Sequence, residues 1–256
     1  MTEITAALRK KISSLSKDAR TRREEGLFVA EGSKCVLDTL PFFNCEYLFA
    51  TNAWHEAHRH KLPAGCNFIQ AKRADIERMS HMKTPPEVLA VYHIPEHHLS
   101  YDIFSQNITL ALDGIQDPGN LGTIIRVADW MGITDILCSN DTVDVYNPKV
   151  IQATMGAISR VKTHYVDLAE KIASLPQDIV VYGTFLDGDN IYQAKLSDKG
   201  IIVMGNEGKG ISLQVAEIIN RRLLIPSFPS ERPTSESLNV AVATAITLAE
   251  FRRRSY

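Results

Sequence analysis

The feature that most constrains this chain is an apolar run that ends abruptly in a glycine-rich segment. Ile201-Ile202-Val203-Met204 is typical of a buried strand, and Gly205-Asn206-Glu207-Gly208-Lys209-Gly210 follows it directly. Sequence typical of a helix resumes at Ser212. This order predicts a strand, a tight loop and a helix. Glycine has no Cβ to keep a small molecule away from backbone N–H groups, so we expect a cofactor site at this loop.

Two phosphate-binding signatures are absent from this loop. A Walker A loop requires GxxxxGK followed by Ser or Thr, whereas Lys209 is followed by Gly210. The Rossmann signature is GxGxxG, whereas the spacing here is GxxGxG. A tight turn without a ligand is the alternative interpretation. The spacing therefore argues against a loop that binds a polyphosphate. It remains compatible with a cofactor that lies close to the backbone N–H groups of the loop.

The second half of the chain alternates strands and helices. We expect strands at 108–112, 134–138, 161–166, 179–184, 201–204 and 222–225, and helices at about 121–131, 148–157, 167–174, 212–220 and 237–252. Strands separated by helices favour an α/β fold with a parallel sheet and helices on both faces.

The first half has the pattern of a smaller α/β domain. It begins with an amphipathic helix expected at residues 3–22 and ends with a strand expected at 88–94. The polar segment Pro95-Glu96-His97-His98 then marks the expected boundary. We therefore divide the chain into a domain at 1–95, a linker at 96–106 and a second domain at 107–256.

The charge of the chain favours nucleic-acid binding only in local segments. The net charge of the whole chain is −2, which gives no global sign of nucleic-acid binding. Residues 1–23, however, hold seven Lys and Arg side chains against two carboxylates, a net charge of +5, and Arg252-Arg253-Arg254 forms a second basic run. An ordinary solvated helix face is the alternative interpretation of the first run.

The cysteines and the hydropathy pattern exclude several classes of protein. Cys35, Cys45, Cys66 and Cys138 lie far apart and form no CxxC, which fits neither a zinc site nor a small disulfide framework. We therefore expect no metal and reduced thiols in the cytoplasm. No apolar run approaches the roughly 18 residues of a membrane helix, and the N-terminus lacks the apolar block of a signal peptide.

A second loop, residues 113–126, follows the strand predicted at 108–112. Ligands of open α/β sheets bind at the carboxyl ends of strands. Asn120 is suited to cap the following helix, where Gly122, Arg126 and Asp129 share one stripe. A surface ion pair between Arg126 and Asp129 is the alternative to a functional role.

A third segment runs from Ile225-Pro226 to the last helix. Ser235 and Ser237 are the candidates to cap that helix, which is apolar nearly all round between residues 238 and 248. We therefore expect both of its faces to be buried. Packing against a second subunit and an interior helix of a monomer are the two explanations.

Taken together, the three loops resemble the SpoU/TrmH family of RNA ribose methyltransferases, members of the SPOUT class. The matching motifs are Asn120-x-Gly122-x-x-x-Arg126, then Met204-Gly205-Asn206-Glu207-Gly208 with Gly210, then Ile225-Pro226 with Ser237-Leu238-Asn239-Val240-Ala241-Val242-Ala243. The resemblance covers residues 107–256. Residues 23–32 and 84–92 resemble the RNA substrate-binding domain often fused to this family, although the chain has Pro86-Glu87 where the family often has Gln-Gly.

The resemblance implies a fold, a cofactor and a partner. It implies S-adenosylmethionine bound in a deep trefoil knot, and a homodimer formed through the knotted domain. Cofactor contacts are then expected at Thr184, Gly205, Asn206, Gly208, Ile225, Pro226, Leu238 and Asn239. RNA contacts are expected at Arg9, Lys10, Lys11, Arg20, Arg22 and Arg23.

The same resemblance assigns Arg126 to activation of the ribose 2′-hydroxyl, from the partner subunit. Asn120, Glu207, Ser237 and Asn239 are expected to position the substrate or Arg126, and a structural turn is the alternative for Glu207. Because a guanidinium is a permanent donor, Arg126 is a candidate either for the base or for an electrostatic stabiliser.

One departure affects the target. Residues 227–236 form a longer loop than the family usually has, without its Met and Gly, beside the expected active site. The two-domain layout favours ribosomal over transfer RNA by analogy only. A non-catalytic RNA-binding or ribosome-assembly protein with the same fold is the main alternative, and a nucleotide-binding enzyme is a further one.

Overall fold

The computed structural model describes residues 4–229 and 235–254, and its chain forms two compact units. Unit 1 comprises Met1–Glu96 and Asp144–Ser159, and unit 2 comprises His97–Val143 and Arg160–Tyr256. The sequence division differs in two respects. Residues 144–159 were expected in the second domain and are grouped instead with unit 1, and residues 97–106 were expected in the linker and are grouped with unit 2.

The elements follow one another in alternation. The helices are α1 Ala6–Lys17, α2 Ala19–Glu25, α3 Ser33–Thr39, α4 Asn52–His58, α5 Arg73–Met79, α6 Asp102–Gln106, α7 Pro118–Trp130, α8 Pro148–Thr154, α9 Leu168–Ala173, α10 Leu213–Ala216 and α11 Val240–Arg253, with short 3-10 turns at Arg59–Lys61 and Ala157–Ser159. The strands are β1 Leu27–Glu31, β2 Cys45–Ala50, β3 Phe68–Gln70, β4 Val88–His93, β5 Ile108–Asp113, β6 Asp135–Ser139, β7 Lys162–Val166, β8 Val181–Asn190, β9 Gly200–Gly205 and β10 Arg221–Leu224.

Unit 1 is a mixed four-stranded sheet in the order β1-β4-β2-β3, with β4 antiparallel to both of its neighbours. The single helix expected at residues 3–22 is wrong, because Asp18 interrupts it. Asp18 has an extended backbone, and its carboxylate accepts hydrogen bonds from Arg20 N at 3.2 Å and Thr21 N at 3.0 Å. A side chain that caps the following backbone competes with continuation of the helix, so two helices form.

Arg22 is the clearest error among the expected RNA contacts. Its side chain is buried, its Nη2 lies 2.6 Å from Asp144 Oδ2, and its Nη1 donates to Leu15 O at 2.6 Å. A guanidinium that is enclosed and paired in this way serves the fold of unit 1 and is out of reach of RNA. Sequence alone shows the charge of this residue but not that Asp144, far away in the chain, neutralises it.

The other expected RNA contacts fall into two groups. Arg9, Lys11 and Arg20 are ion-paired with Asp75, Glu25 and Glu24, respectively. Lys10 and Arg23 are exposed and form no ion pair with residues that the structure describes. Carboxylates therefore neutralise much of the charge that the N-terminal segment carries.

Unit 2 is a six-stranded sheet in the order β10-β8-β9-β5-β6-β7, and every pairing in it is parallel. This confirms the predicted α/β fold with a parallel sheet. The chain leaves β5 towards β6 and leaves β9 towards β10, on opposite sides. The carboxyl ends of β5 and β9 therefore form a topological switch point, where ligands of such sheets bind.

The expected linker at 96–106 is partly structured. Its last residues form α6, and Phe104, which is 1% exposed, packs into the core of unit 2. In the described part of the chain, no helix is long and apolar enough to cross a membrane, and no group of three or more His, Cys, Asp and Glu side chains is arranged to hold a metal.

Replacing Arg22 by Ala tests its structural role. Breaking a buried pair leaves Asp144 without its cation, which costs about 3 kcal/mol, whereas an exposed pair contributes about 0–1 kcal/mol. We therefore expect Arg22→Ala to lower the free energy of unfolding strongly in urea titrations. Arg20→Ala is the control, because its side chain is 81% exposed, and it should change little. Equal effects of the two variants would contradict the assignment.

Candidate active site

The loop after β9 folds back on itself. Asn206 N donates to Gly210 O at 2.9 Å, and Gly210 N donates to Asn206 O at 3.0 Å. A Cβ on Gly205 would lie 2.3 Å from the carbonyl carbon of Gly210, a contact that no side chain tolerates. From the sequence, we expected a glycine at this position to allow close approach of a ligand. The structure gives another cause, since the chain's own backbone passes there.

Asn206 joins the loops that follow β5 and β9. Its Oδ1 accepts from the backbone N–H groups of Gly208 and Lys209, both at 2.9 Å, and its Nδ2 donates to Gly114 O at 2.6 Å. Its side chain is therefore engaged within the protein, so any contact of Asn206 with a cofactor falls to its backbone.

The carboxylate of Glu207 binds the loop after β5. Its Oε1 accepts from Asp117 N at 3.2 Å and from Asn120 Nδ2 at 3.0 Å, and its Oε2 accepts from Gln116 N at 3.2 Å. Both oxygens are thus engaged in holding the neighbouring loop. This arrangement favours a positioning role for Glu207 over proton transfer.

The pKa of Glu207 agrees with that role. Partial burial raises the pKa, but hydrogen bonds from Asn120 and from the backbone of Glu207 itself, Gln116 and Asp117 outweigh it and hold it below its ordinary value. The group is therefore ionised at neutral pH, and an ionised carboxylate only accepts hydrogen bonds.

A chain of hydrogen bonds extends from Glu207 to the last helix. Because Asn120 donates its Nδ2 to the carboxylate, its Oδ1 is free to accept from Asn239 Nδ2, at 2.9 Å. The Oδ1 of Asn239 in turn accepts from Ala241 N at 2.9 Å and Val242 N at 3.3 Å, which caps α11. The three loops singled out in the sequence therefore meet, and the charge of Glu207 fixes the direction of every bond between them.

Two expected helix caps are wrong. Asp117 caps α7 by accepting from Asn120 N at 2.8 Å, and Asn120 lies inside the helix, where its side chain is free for the chain of bonds. Asn239 caps α11, so neither of the expected serines, Ser235 and Ser237, is the cap. The side chain of Ser237 is exposed. The Asp-Pro pair at residues 117–118 was a signal that would have found the first cap, because proline favours the first turn of a helix.

Arg126 is an available cation. Its side chain is exposed and makes no hydrogen bond or ion pair within residues 4–229 and 235–254. The alternative pair with Asp129 is wrong, because both oxygens of Asp129 accept from Arg160, at distances from 2.7 to 3.1 Å. Among the described residues nothing neutralises the positive charge of Arg126, so it can meet the anion of a substrate.

The remaining candidates for cofactor contact are Thr184, which follows the last β8 residue paired with β9, Ile225 and Pro226, which follow β10, and Leu238, which precedes α11. Thr184, Ile225 and Pro226 are half-buried, and Leu238 is 48% exposed. The hydroxyl of Thr184 makes only long contacts, 3.4 Å to Val203 O and 3.7 Å to Met204 Sδ. Partly exposed apolar surface beside a loosely held hydroxyl fits a ligand with an apolar ring and polar edges, such as an adenosine.

A groove of about 460 Å³ separates α7 from α11. It is lined by Asp117, Gly119, Asn120, Thr123, Val127, Asn239, Ala241, Val242, Ala245 and Ile246. The expectation that both faces of the last helix are buried is wrong for the single chain, because Val242 is 49% exposed. Trp130 on α7 is 87% exposed. Part of the apolar surface of α11 is therefore left uncovered by the rest of the described chain.

The family of the chain follows from comparison with known sequences. The model of the SpoU rRNA Methylase family matches residues 107–249, and the model of the MRM3-like substrate binding domain matches residues 9–90. The first match covers more than half of the chain. The protein belongs to the SpoU rRNA Methylase family.

Individual relatives agree with this placement. The chain is 33% identical over 172 residues to the 23S rRNA (guanosine(2553)-2'-O)-methyltransferase RlmP of Bacillus subtilis, over 66% of each protein. The matched part of the chain spans only 53% of the length of a second curated relative and 58% of the length of a third. Among solved structures, a TrmH-family protein of Porphyromonas gingivalis is 39% identical, with a TM-score of 0.86 over 99% of this chain and 100% of that one. An AdoMet-bound rRNA methyltransferase of Sinorhizobium meliloti is 28% identical, with a TM-score of 0.85 over 100% and 98%.

Acid titration tests the role of the Glu207 carboxylate. Because its pKa is lowered on folding, the charge stabilises the fold above its ordinary value of 4.5, and this contribution is lost as pH falls below that value. We expect Glu207→Gln to lower the free energy of unfolding at pH 7 and the difference from wild type to shrink towards pH 3. Glu217→Gln is the control, because it changes an exposed carboxylate of the same unit, and it should leave the free energy of unfolding at pH 7 nearly unchanged. A constant difference for Glu207→Gln across this range would contradict the assignment.

Proposed function

We propose that this protein transfers a methyl group from S-adenosylmethionine to a ribose 2′-hydroxyl of RNA, and that the RNA is ribosomal. The observation that carries the proposal is the chain of bonds from Glu207 through Asn120 to Asn239, which draws the three family motifs to one edge of the sheet. The relatives whose names specify 23S ribosomal RNA support this choice over transfer RNA.

The proposed cofactor contacts are Thr184, Gly205, Asn206, Gly208, Ile225, Pro226, Leu238 and Asn239. The cofactor supplies an electrophilic methyl group on its sulfonium. The protein is then left to hold the 2′-hydroxyl in line with that methyl, and positioning of this kind supplies a large part of the rate. The 2′-hydroxyl is also the group by which a protein distinguishes RNA from DNA.

Arg126 is the residue we assign to the hydroxyl. As a permanent donor, it binds a neighbouring phosphate and stabilises the negative charge that develops on the ribose oxygen. An electrostatic role also agrees with the state of Glu207, the carboxylate among the assigned residues, because both of its oxygens already accept hydrogen bonds from the loop after β5. Ser237 is exposed and, like Asn120 and Asn239, is assigned to substrate positioning.

We also propose a homodimer, with α7 and α11 packing against the same helices of a second copy. The groove between them and the exposure of Val242 and Trp130 support it, since an apolar helix face of this kind needs a cover. In such a dimer Arg126 serves the partner's site. The trefoil knot stays a proposal from the family resemblance, as does a cytoplasmic location.

Unit 1 is proposed to bind the RNA substrate. The match of residues 9–90 to a substrate-binding domain supports this role. Within the N-terminal basic segment, Lys10 and Arg23 are the proposed contacts, because they are exposed and not ion-paired within the described residues. Arg9, Lys11 and Arg20 would have to leave their carboxylates to reach a phosphate.

Calorimetry separates this proposal from its alternatives. Titration with S-adenosylmethionine and with ATP should give binding of the first only, because the glycine loop has no phosphate-binding spacing. Binding of ATP without S-adenosylmethionine would favour a nucleotide-binding enzyme. Binding of RNA with no binding of either would favour a non-catalytic RNA-binding protein.

Replacing Arg126 by Ala tests its assigned role. We expect transfer of labelled methyl groups to RNA to fall at least about a hundredfold, since removing one electrostatic stabiliser has an effect of this order. Affinity for S-adenosylmethionine should stay unchanged. Lys199→Ala is the control. It removes an exposed cation beside the amino end of β9, away from the carboxyl ends of the strands where the site lies, and should leave transfer intact. Turnover near the wild-type rate in Arg126→Ala would contradict the role.

A further inference from the structure

Strand β8 carries a bulge beside the proposed cofactor site. Where β8 pairs with β10, Gly183 faces Arg222 and Asp189 faces Leu223, so residues 184–188 have no partner on β10. The pairing of β8 with β9 also ends at Gly183. We call these residues the 184–188 bulge, and it begins with Thr184, a proposed cofactor contact.

Arg222 holds the bulge from the neighbouring strand. Its Nη2 lies 2.6 Å from Asp187 Oδ1, and its guanidinium carbon lies 3.5 Å from the centre of the Phe185 ring. The planar guanidinium therefore uses its edge on a carboxylate and its face on an aromatic ring. This combination is specific to arginine, because a lysine ammonium has no flat face to stack.

Two glycines allow the bulge to lie close to the sheet. A Cβ on Gly183 would lie 2.7 Å from Phe185 Cε2, and a Cβ on Gly188 would lie 2.8 Å from Arg222 O. The ring of Phe185 thus lies close to both Gly183 and the guanidinium of Arg222. The bulge has a defined shape that depends on one side chain from β10.

Thr184 depends on this shape more than on its own contacts. Its hydroxyl is only loosely held, at 3.4 Å from Val203 O, so the backbone of the bulge decides where it lies. The next residue along, Phe185, is the one that Arg222 grips. A shift of the backbone at Phe185 would therefore displace Thr184, its neighbour in the chain.

We propose that Arg222 is a positioning residue for the cofactor site, because it holds the 184–188 bulge and thereby orients Thr184 towards bound S-adenosylmethionine. The inference rests on the proposed function, since it takes S-adenosylmethionine as the ligand. Arg222 acts through the bulge and has no contact with the reacting atoms.

The exposure of these groups separates this role from a structural one. The side chains of Arg222 and Asp187 are 43% and 80% exposed, and an ion pair in such a position contributes little to global stability. Loss of the stack and the pair should therefore loosen the bulge without unfolding unit 2. Cofactor affinity should respond far more than the melting temperature does.

Calorimetric titration of the whole 256-residue chain with S-adenosylmethionine tests the inference. Arg222→Ala should weaken binding about tenfold, since a stack and an exposed ion pair together are of that size. Its melting temperature without ligand should stay within about 5 °C of wild type. Arg221→Ala is the matched control, because Arg221 is the adjacent exposed cation on β10 and has no ion pair within the described residues.

Two further variants identify the contact responsible. Phe185→Leu removes the stack and should weaken binding as Arg222→Ala does, whereas Arg222→Lys keeps the charge and should fall between Arg222→Ala and wild type. Wild-type affinity in Arg222→Ala would overturn the inference, as would a loss of affinity matched by a large fall in melting temperature. If the wild-type protein itself fails to bind S-adenosylmethionine, the proposed function fails first and the inference fails with it.

Discussion

The site of this protein depends on one carboxylate that is fully engaged by its own chain. Glu207 accepts from two backbone N–H groups and from Asn120, and so fixes the loop after β5 against the loop after β9. Because an ionised carboxylate only accepts, Asn120 must present its oxygen to Asn239, which must present its own oxygen to the start of α11. A single charge thus sets the orientation of two amides and joins three segments of the chain.

The topology of the sheet explains why these segments meet. The chain departs from β5 and β9 in opposite directions, which opens a space at their carboxyl ends. The loops that close this space come from distant parts of the chain, and among the described residues they contain no disulfide and no group of His, Cys, Asp and Glu side chains arranged to hold a metal. Hydrogen bonds between polar side chains hold them together instead. A site built in this way combines a rigid sheet with loops that shift if one acceptor or donor is removed.

The sequence predicted the strands of unit 2 and the motif residues because these signals are local. Apolar runs, glycine spacing and the order of the loops are all visible within short windows. Asn120 was expected as a cap, however, and its true partners lie 87 and 119 residues away. The burial of Arg22 and the 184–188 bulge were missed for the same reason, since each depends on a distant residue, Asp144 or Arg222. The break at Asp18 was a local signal that the amphipathic pattern concealed.

Methylation of the ribose of RNA is the reaction proposed for this site. The direct measurement is transfer of isotopically labelled methyl groups from S-adenosylmethionine to unmodified total RNA, followed by digestion to nucleosides and mass spectrometry. Label is expected on a 2′-O-methylated nucleoside from the ribosomal RNA fraction. Label on a base, or no transfer by protein that binds both the cofactor and RNA, would contradict it.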